Sequence, residues 1–521
     1  MIARTLLAAV CLACAAGAAR AQADGESSKY WPAWRGPLGC GVAPHGDPPT
    51  EWSETRNVRW KVAVPGRGHA TPIVWGDRVY VLTAIKSGGE APAPATSEPP
   101  KPPPPPSAPT EPPAPPPGAS KAPLQTGLFS SATASLQDPP PGGERPQGEG
   151  RGDRPPRGEG QRRGDGPPDG ERPPRGEGRR GPRGEAPTDK YSFVVLALDR
   201  ATGKTLWQQT AREVVPHEGH HPDATFASAS PVTDGQVLIA HFGSTGVFAY
   251  DLAGKLLWEK DLGDMQVRRG FGEGSSPALH GDTVVINWDH EGDSFIIALD
   301  KRTGAERWKK ERDEDTTWST PLVVEVAGRP QVVVNASNRV RAYDLASGDV
   351  VWECGGQTPN AIPSPVFGQG LLIAMSGFRG NAIRAIRIAE AKGDVTDGPA
   401  VAWSYNEDTP YVPSPLLYGP DLYFLKHTNG ILSCFEAATG EPRYAKQRLE
   451  GIENVYASPV GAAGRVYIAG REGATLVLKQ GPALEVLARN TLEDGFDASP
   501  AIAGRDLFLR GRQALYCLAV Q

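Results

Sequence analysis

Eight Ser-Pro or Thr-Pro dipeptides are spaced at near-regular intervals along the chain. They stand at Thr71-Pro72, Ser230-Pro231, Ser276-Pro277, Thr320-Pro321, Ser364-Pro365, Ser414-Pro415, Ser458-Pro459 and Ser499-Pro500. From Pro231 onward the prolines are 46, 44, 44, 50, 44 and 41 residues apart. The first interval is 159 residues, and it falls to 53 once the low-complexity stretch 85–190 is set aside. Repeats of this length each correspond to one blade of a propeller. A chain of 521 residues would otherwise suggest about three domains. The repeat predicts instead one all-β fold, an eight-bladed β-propeller of four-stranded antiparallel blades.

Each repeat follows one grammar. A short strand follows the proline, then a Gly/Asp turn such as Trp75-Gly76-Asp77, then a β-branched strand such as Val332-Val333-Val334. A third strand ends on an acidic residue, as at Asp199, Asp300 and Asp344. Thr-Gly or Ser-Gly makes the next turn, and an aromatic follows that glycine by four residues, at Trp207, Trp308, Trp352 and Tyr444. Trp258 keeps this offset from Gly254. Alternation with glycine-containing turns predicts antiparallel hairpins. The tryptophans are expected to fill the widening space between blades. The last repeat has room for three strands, so residues 57–64, with Trp60, are expected to supply the fourth and close the ring.

Composition varies along the chain. Residues 85–190 hold 28 of the 53 prolines and, from Glu144, charged Arg-Gly-Glu-Gly units. With few apolar side chains to offset the entropy of ordering, this insertion is expected to be disordered. Residues 1–23 read as a secretory signal peptide: Arg4, an apolar run from Leu6, then Ala-x-Ala sites. The position three before Cys14 is Cys11 rather than Leu, so lipid anchoring there is not expected. The expected location is the periplasm or cell envelope. Residues 24–56 form a lead-in segment, 57–84 the closing strand and first half of blade 1, and 191–521 the remaining propeller. A net charge of −5 gives the folded part no electrostatic reason to bind nucleic acid. No apolar run beyond the leader is long enough to span a bilayer. Cys40, Cys354, Cys434 and Cys517 lack CxxC spacing and read mainly as buried thiols, with a bridge left open.

The Ala-x-Asp-x-x-Thr-Gly-x-x-x-Trp pattern, clearest at Ala197 to Trp207 and Ala298 to Trp308, resembles the PQQ-like (pyrroloquinoline-quinone-type) β-propeller family. That family includes eight-bladed quinoprotein alcohol dehydrogenases and the outer-membrane assembly lipoprotein BamB. The stretch Trp31-Pro32-Ala33-Trp34-Arg35-Gly36-Pro37 resembles the opening of exported members of planctomycete type. The pattern implies a fold and not a chemistry.

Irregular loops gather on one face of such a propeller, where binding residues usually sit. The longest connection carries His217-Glu218-Gly219-His220-His221. This matches HExxH as a string, but Pro216, Gly219 and Pro222 exclude the helix a zincin needs. His217, His220 and His221, with Glu218 and Asp223, remain candidate metal ligands from a loop, or parts of a polar loop held by hydrogen bonds. The hairpin with Asp289, Glu291 and Asp293 suits a hard cation such as Ca²⁺, or is ordinary turn chemistry. His69, Phe226, Glu273, Trp318, Tyr411, Tyr456 and Asp497 are expected near the channel, as a rim for a ligand or as packing positions.

The reading that follows is an exported, non-catalytic propeller acting as a binding or assembly scaffold through its long-loop face, for a protein or a small ligand. The alternative implied by the resemblance is a PQQ-dependent alcohol or sugar dehydrogenase. There Trp318 would floor the quinone, Asp289, Glu291 and Asp293 would hold a divalent cation, and Arg379 would anchor a carboxylate. The chain lacks the adjacent cysteine pair of many such enzymes and any haem CxxCH.

Overall fold

Runs of Val, Ile and Leu flanked by glycine turns pair into eight sheets in the computed structural model, which describes residues 25–88 and 187–520. Blade 1 comprises Ile73–Trp75, Arg78–Lys86, Tyr191–Asp199 and Thr205–Val214. Blades 2 to 7 start at Val232, Ala278, Leu322, Val366, Leu416 and Val460, each directly after its Ser/Thr-Pro proline. Blade 8 contains Ala501–Ala503, Asp506–Arg510 and Ala514–Leu518, and its fourth strand is Val58–Ala63, antiparallel to Ala514–Leu518. The fold is thus an all-β eight-bladed propeller with almost no helix. Blade 4 departs from the four-strand plan: Gly393–Asp394 adds a short fifth strand, parallel to Val350–Cys354.

The hairpin that carries the insertion runs further than expected. Ile85 pairs with Ser192 and Lys86 with Tyr191, and the Ser87 N–H donates to the Lys190 carbonyl at 2.7 Å. Residues 89–186, to which the expectation of disorder mainly refers, lie outside the described residues, as does the leader through residue 24.

The repeated residues explain the packing between blades. Ala197, Ala249, Ala298, Ala342 and Ala385 stand directly across the strand pair from Trp207, Trp258, Trp308, Trp352 and Trp403. A small residue there leaves room for the indole. Cys434 and Cys517 fill the same slot opposite Tyr444 and Trp60. All four cysteines are buried free thiols, and burial pushes Cys434 and Cys517 up to about 12. The indole N–H then reaches the following blade: Trp258 donates to the Lys301 carbonyl (2.9 Å) and Trp308 to Leu345 (2.8 Å). The rings of Trp207, Trp258, Trp308 and Trp403 lie on turn glycines of the following blade, whereas Trp352 donates to Gln331 of its own blade at 3.1 Å. A methyl added to Gly304 would sit 2.7 Å from Trp258, and φ there is +69°. Both the contact and the left-handed backbone require glycine. Trp258, Trp308 and Trp352 are buried, whereas Trp207 and Trp403 are half-buried.

The Ser/Thr of each Ser/Thr-Pro pair has a second role. The Thr71 N–H donates to Ser230 Oγ, Ser230 to Ser276, Ser276 to Thr320, Thr320 to Ser364, Ser364 to Ser414, Ser414 to Ser458, and Ser458 to Ser499, at 2.7–3.1 Å. Seven hydrogen bonds thus pass from blade to blade around the channel, all in one direction. Thr71 Oγ1, which would accept the eighth, is buried without a partner.

Candidate functional site

Just inside this ring the channel opens into a cavity of about 380 Å³. Its wall includes His69, Glu273, Trp318, Tyr411, Tyr456 and Asp497, six of the sequence-expected rim residues, together with His221. Trp34 of the lead-in segment also lines it, and lines a second cavity towards the opposite face. Behind Trp34, Arg35 is buried, and its Nη2 donates to the carbonyls of Pro415 (2.9 Å) and Pro459 (3.0 Å). Desolvation lowers its guanidinium to about 10. The lead-in segment therefore enters the channel, with Trp34 as part of the cavity floor.

Two carboxylates of the cavity, Asp223 and Asp497, are already paired with arginines. Asp497 takes Arg471 Nε at 2.6 Å and Arg512 Nε at 2.8 Å, with His69 at 3.5 Å. Burial works against the Asp497 carboxylate, but these cations hold its pKa below the ordinary range. Arg471 also donates to Asp223 at 2.7 Å and lies 4.0 Å over the Tyr456 ring. The Tyr456 hydroxyl donates to Asp223 at 3.1 Å. Asp223 belongs to the long connection after blade 1, whereas Arg471 sits in a blade 7 hairpin, so the pair ties together parts of the rim that blade 8 separates. Desolvation lowers His69 to about 4, outweighing the attraction of Asp497. The imidazole is therefore neutral near pH 7.

A third cavity, of about 290 Å³, opens beside the channel and shares Ser228, Gly272, Glu273, Gly274 and Trp318 with it. His217, Phe226 and Asp289 line this one. The loops that form it touch one another: Glu218 accepts from the Val267 N–H at 2.9 Å, and His217 donates to the Met265 carbonyl at 2.7 Å.

The candidate metal ligands do not converge. Among the described residues no group of three His, Cys, Asp or Glu side chains is placed to hold a metal. His220 packs edge-on against Phe226 (4.5 Å), and His221 accepts from the Asp223 N–H at 3.2 Å. Asp289 is buried, with its two oxygens on Arg312 at 2.6 and 3.0 Å. Glu291 is tied to Arg268 (3.0 Å) and Thr316 (2.8 Å), and Asp293 is exposed. Arg379 lines none of these cavities, and its guanidinium lies 5.3 Å over Phe378. Pyrroloquinoline quinone with Ca²⁺ does not fit this set, because Asp289 is neutralised by an arginine and the proposed anchor is elsewhere.

Sequence reasoning missed Trp34, Arg35, Arg471 and Arg312, and read Asp223 as a metal ligand rather than an arginine partner. Trp34 and Arg35 sat in a segment read only for its resemblance, and the arginine partners are close in space but not in sequence.

Residues 192–446 match the family model described as outer membrane protein assembly factor BamB. Among solved structures, BamB from Moraxella catarrhalis is 15% identical, with 62% of this chain and 91% of that one covered at a TM-score of 0.45. The computationally designed Ika8 protein is 13% identical, with 64% and 93% covered at a TM-score of 0.43. No curated protein matches the chain.

Proposed function

We propose, from the premise that the chain through residues 192–446 belongs to the BamB-like family of PQQ-type β-propellers, that it is an exported, non-catalytic scaffold. It works in the periplasm or cell envelope and receives a protein segment or small ligand at the channel mouth. The carrying observation is the cavity wall. Trp318, Tyr411 and Tyr456 line it above Trp34, while its carboxylates Asp223 and Asp497 are met by Arg471 and Arg512, which leaves Glu273, held by Ser244. Such a wall offers ring faces and edges for stacking, with little charge left to compensate.

The hydroxyls argue for binding over turnover. Ser276, Thr320, Ser458 and Ser499 line the cavity, and each accepts a backbone N–H of the inter-blade ring. Ser228 Oγ donates to the Thr225 carbonyl at 2.9 Å. A nucleophile would need its proton taken by a base such as His69 or His221, and the hydrogen-bond partners of His69 and His221 include none of these hydroxyls.

Immobilised protein carrying Trp318→Ala and Tyr456→Ala together is to be compared with wild type and with Asp282→Ala, which lies towards the other face. Envelope proteins and small-molecule extracts of the producing cell are the input. A species held by wild type and Asp282→Ala but lost from the double variant is the expected result. Equal retention by all three would remove the channel mouth from consideration.

A further inference from the structure

The cavity beside the channel has an uneven hydrogen-bonding inventory. Two of its lining side chains are almost wholly buried yet keep a polar atom without a partner: His241 Nε2 and Asn287 Oδ1. His241 Nδ1 lies 3.2 Å from the Ser275 carbonyl, which can only accept, so Nδ1 carries the proton and Nε2 presents a lone pair. Asn287 spends its amide hydrogens on Asp289 (3.0 Å) and Thr317 (3.3 Å), which leaves its oxygen as the unused atom. Both vacancies are acceptors, and a buried acceptor left unmet is costly.

The donors around them are committed. The Ser244 hydroxyl and N–H both donate to Glu273, the latter at 2.8 Å. His217 donates to Met265, and the Ser275 hydroxyl to the Ser319 carbonyl at 3.0 Å. Glu273 is held in this cradle by the turn at Gly243, where a methyl would lie 1.3 Å from its carboxylate. Burial and the neighbouring Glu218 raise the Glu273 carboxyl above the ordinary range, against the pull of the Ser244 bonds and His217. Asp261 and Asp264 add two more carboxylates to the lining, against one guanidinium, Arg212. The opposite wall is apolar, with Phe193 edge-on to Phe242 (5.4 Å) and to Phe226 (6.4 Å).

We propose that this cavity is a binding site for a small aliphatic primary amine, its ammonium set among Glu273, His241 Nε2 and Asn287 Oδ1 and its methylenes against the phenylalanines. An ammonium brings three donors and no acceptor, the complement of what the wall lacks. Its charge suits the carboxylate excess. An anionic ligand meets repulsion, and a metal ion meets no three-ligand group among the described residues. The site adjoins the channel mouth, sharing Glu273 and Trp318 with its wall, but does not depend on that surface docking a partner.

Titration calorimetry on the full chain tests this, with n-butylamine, n-butanol and n-butyrate as probes at neutral pH. Butylamine is expected to bind with one site per chain, at least about tenfold tighter than butanol, since charge-assisted hydrogen bonds separate the two. Butyrate is expected not to bind. Glu273→Gln and His241→Phe, each checked for an unchanged melting curve, are expected to weaken butylamine about tenfold. Equal affinity for amine and alcohol overturns the proposal, as does amine binding untouched by both substitutions. If either variant fails to fold, the wild-type contrast between amine and alcohol decides alone.

Discussion

Two histidines are held neutral inside the protein, and each makes folding sensitive to acid. Desolvation lowers His241 to about 4, opposed only by its bond to the Ser275 carbonyl. His69 falls to about 4 as well, through desolvation opposed by Asp497 and aided by Arg510, Arg67 and Arg471. In the unfolded chain both titrate near 6.5. The unfolded state therefore takes up protons first as pH falls. Stability from these groups is full above pH 6.5 and drains between about 6.5 and 4, by on the order of 3 kcal/mol per histidine at the acid end. Thermal melts across this window are expected to fall steeply for wild type and less steeply for His241→Phe. Identical slopes would mean that His241 titrates normally in the fold. Neither shift was legible beforehand, because burial of a histidine depends on which strand covers it. Asp289 teaches the same point. Beside Glu291 and Asp293 it reads as a cation ligand, yet Arg312, on the neighbouring outer strand's exit, already occupies it.

At the scale of elements, the Ser/Thr-Pro pairs marked the blades correctly in the sequence, but their count did not disclose their chemistry. Proline ends the lead-in to each inner strand. The residue before it links each blade to the next through N–H to hydroxyl bonds. Ser276→Ala would strand the buried Ser230 N–H, at a cost of about 1–3 kcal/mol. Thr71→Val should be close to neutral, within about 0.5 kcal/mol, because Thr71 Oγ1 accepts nothing and its N–H bond survives the change. Urea denaturation of the two variants separates these outcomes, and equal losses would show that the hydroxyls act only by packing. The tryptophans were legible as blade-to-blade packing because the offset from glycine repeats. The alanine across from each was quoted as part of a motif, and its reason appears only in the strand register.

For the molecule as a whole, the insertion is attached at a single hairpin. Its ends are brought together by the pairing of Lys86 with Tyr191 and the bond from Ser87 to Lys190. Replacing residues 89–186 with a short Gly-Ser turn is expected to leave a folded propeller, with a melting temperature within a few degrees of wild type. Loop length adds little to the closure cost, on the order of 0.6 kcal/mol per doubling. A large fall in melting temperature would show that the segment contributes contacts to the propeller. What the whole sequence could not convey is the channel interior. Trp34, Asp223 and Arg471 come from three distant stretches, and only the circular arrangement makes them neighbours.

The pairing of Val58–Ala63 with Ala514–Leu518 has a consequence during synthesis. The first strand to leave the ribosome finds its partner only when nearly the last residues follow. Until then Trp60 has no Phe508 beside it and no Cys517 across from it, and the edge of blade 8 stays open. A product cut short anywhere before Ala514 keeps that edge and that indole uncovered. The fold thereby carries its own check: a chain that has not yet reached Ala514–Leu518 displays an open strand edge, the kind of surface that chaperones act on.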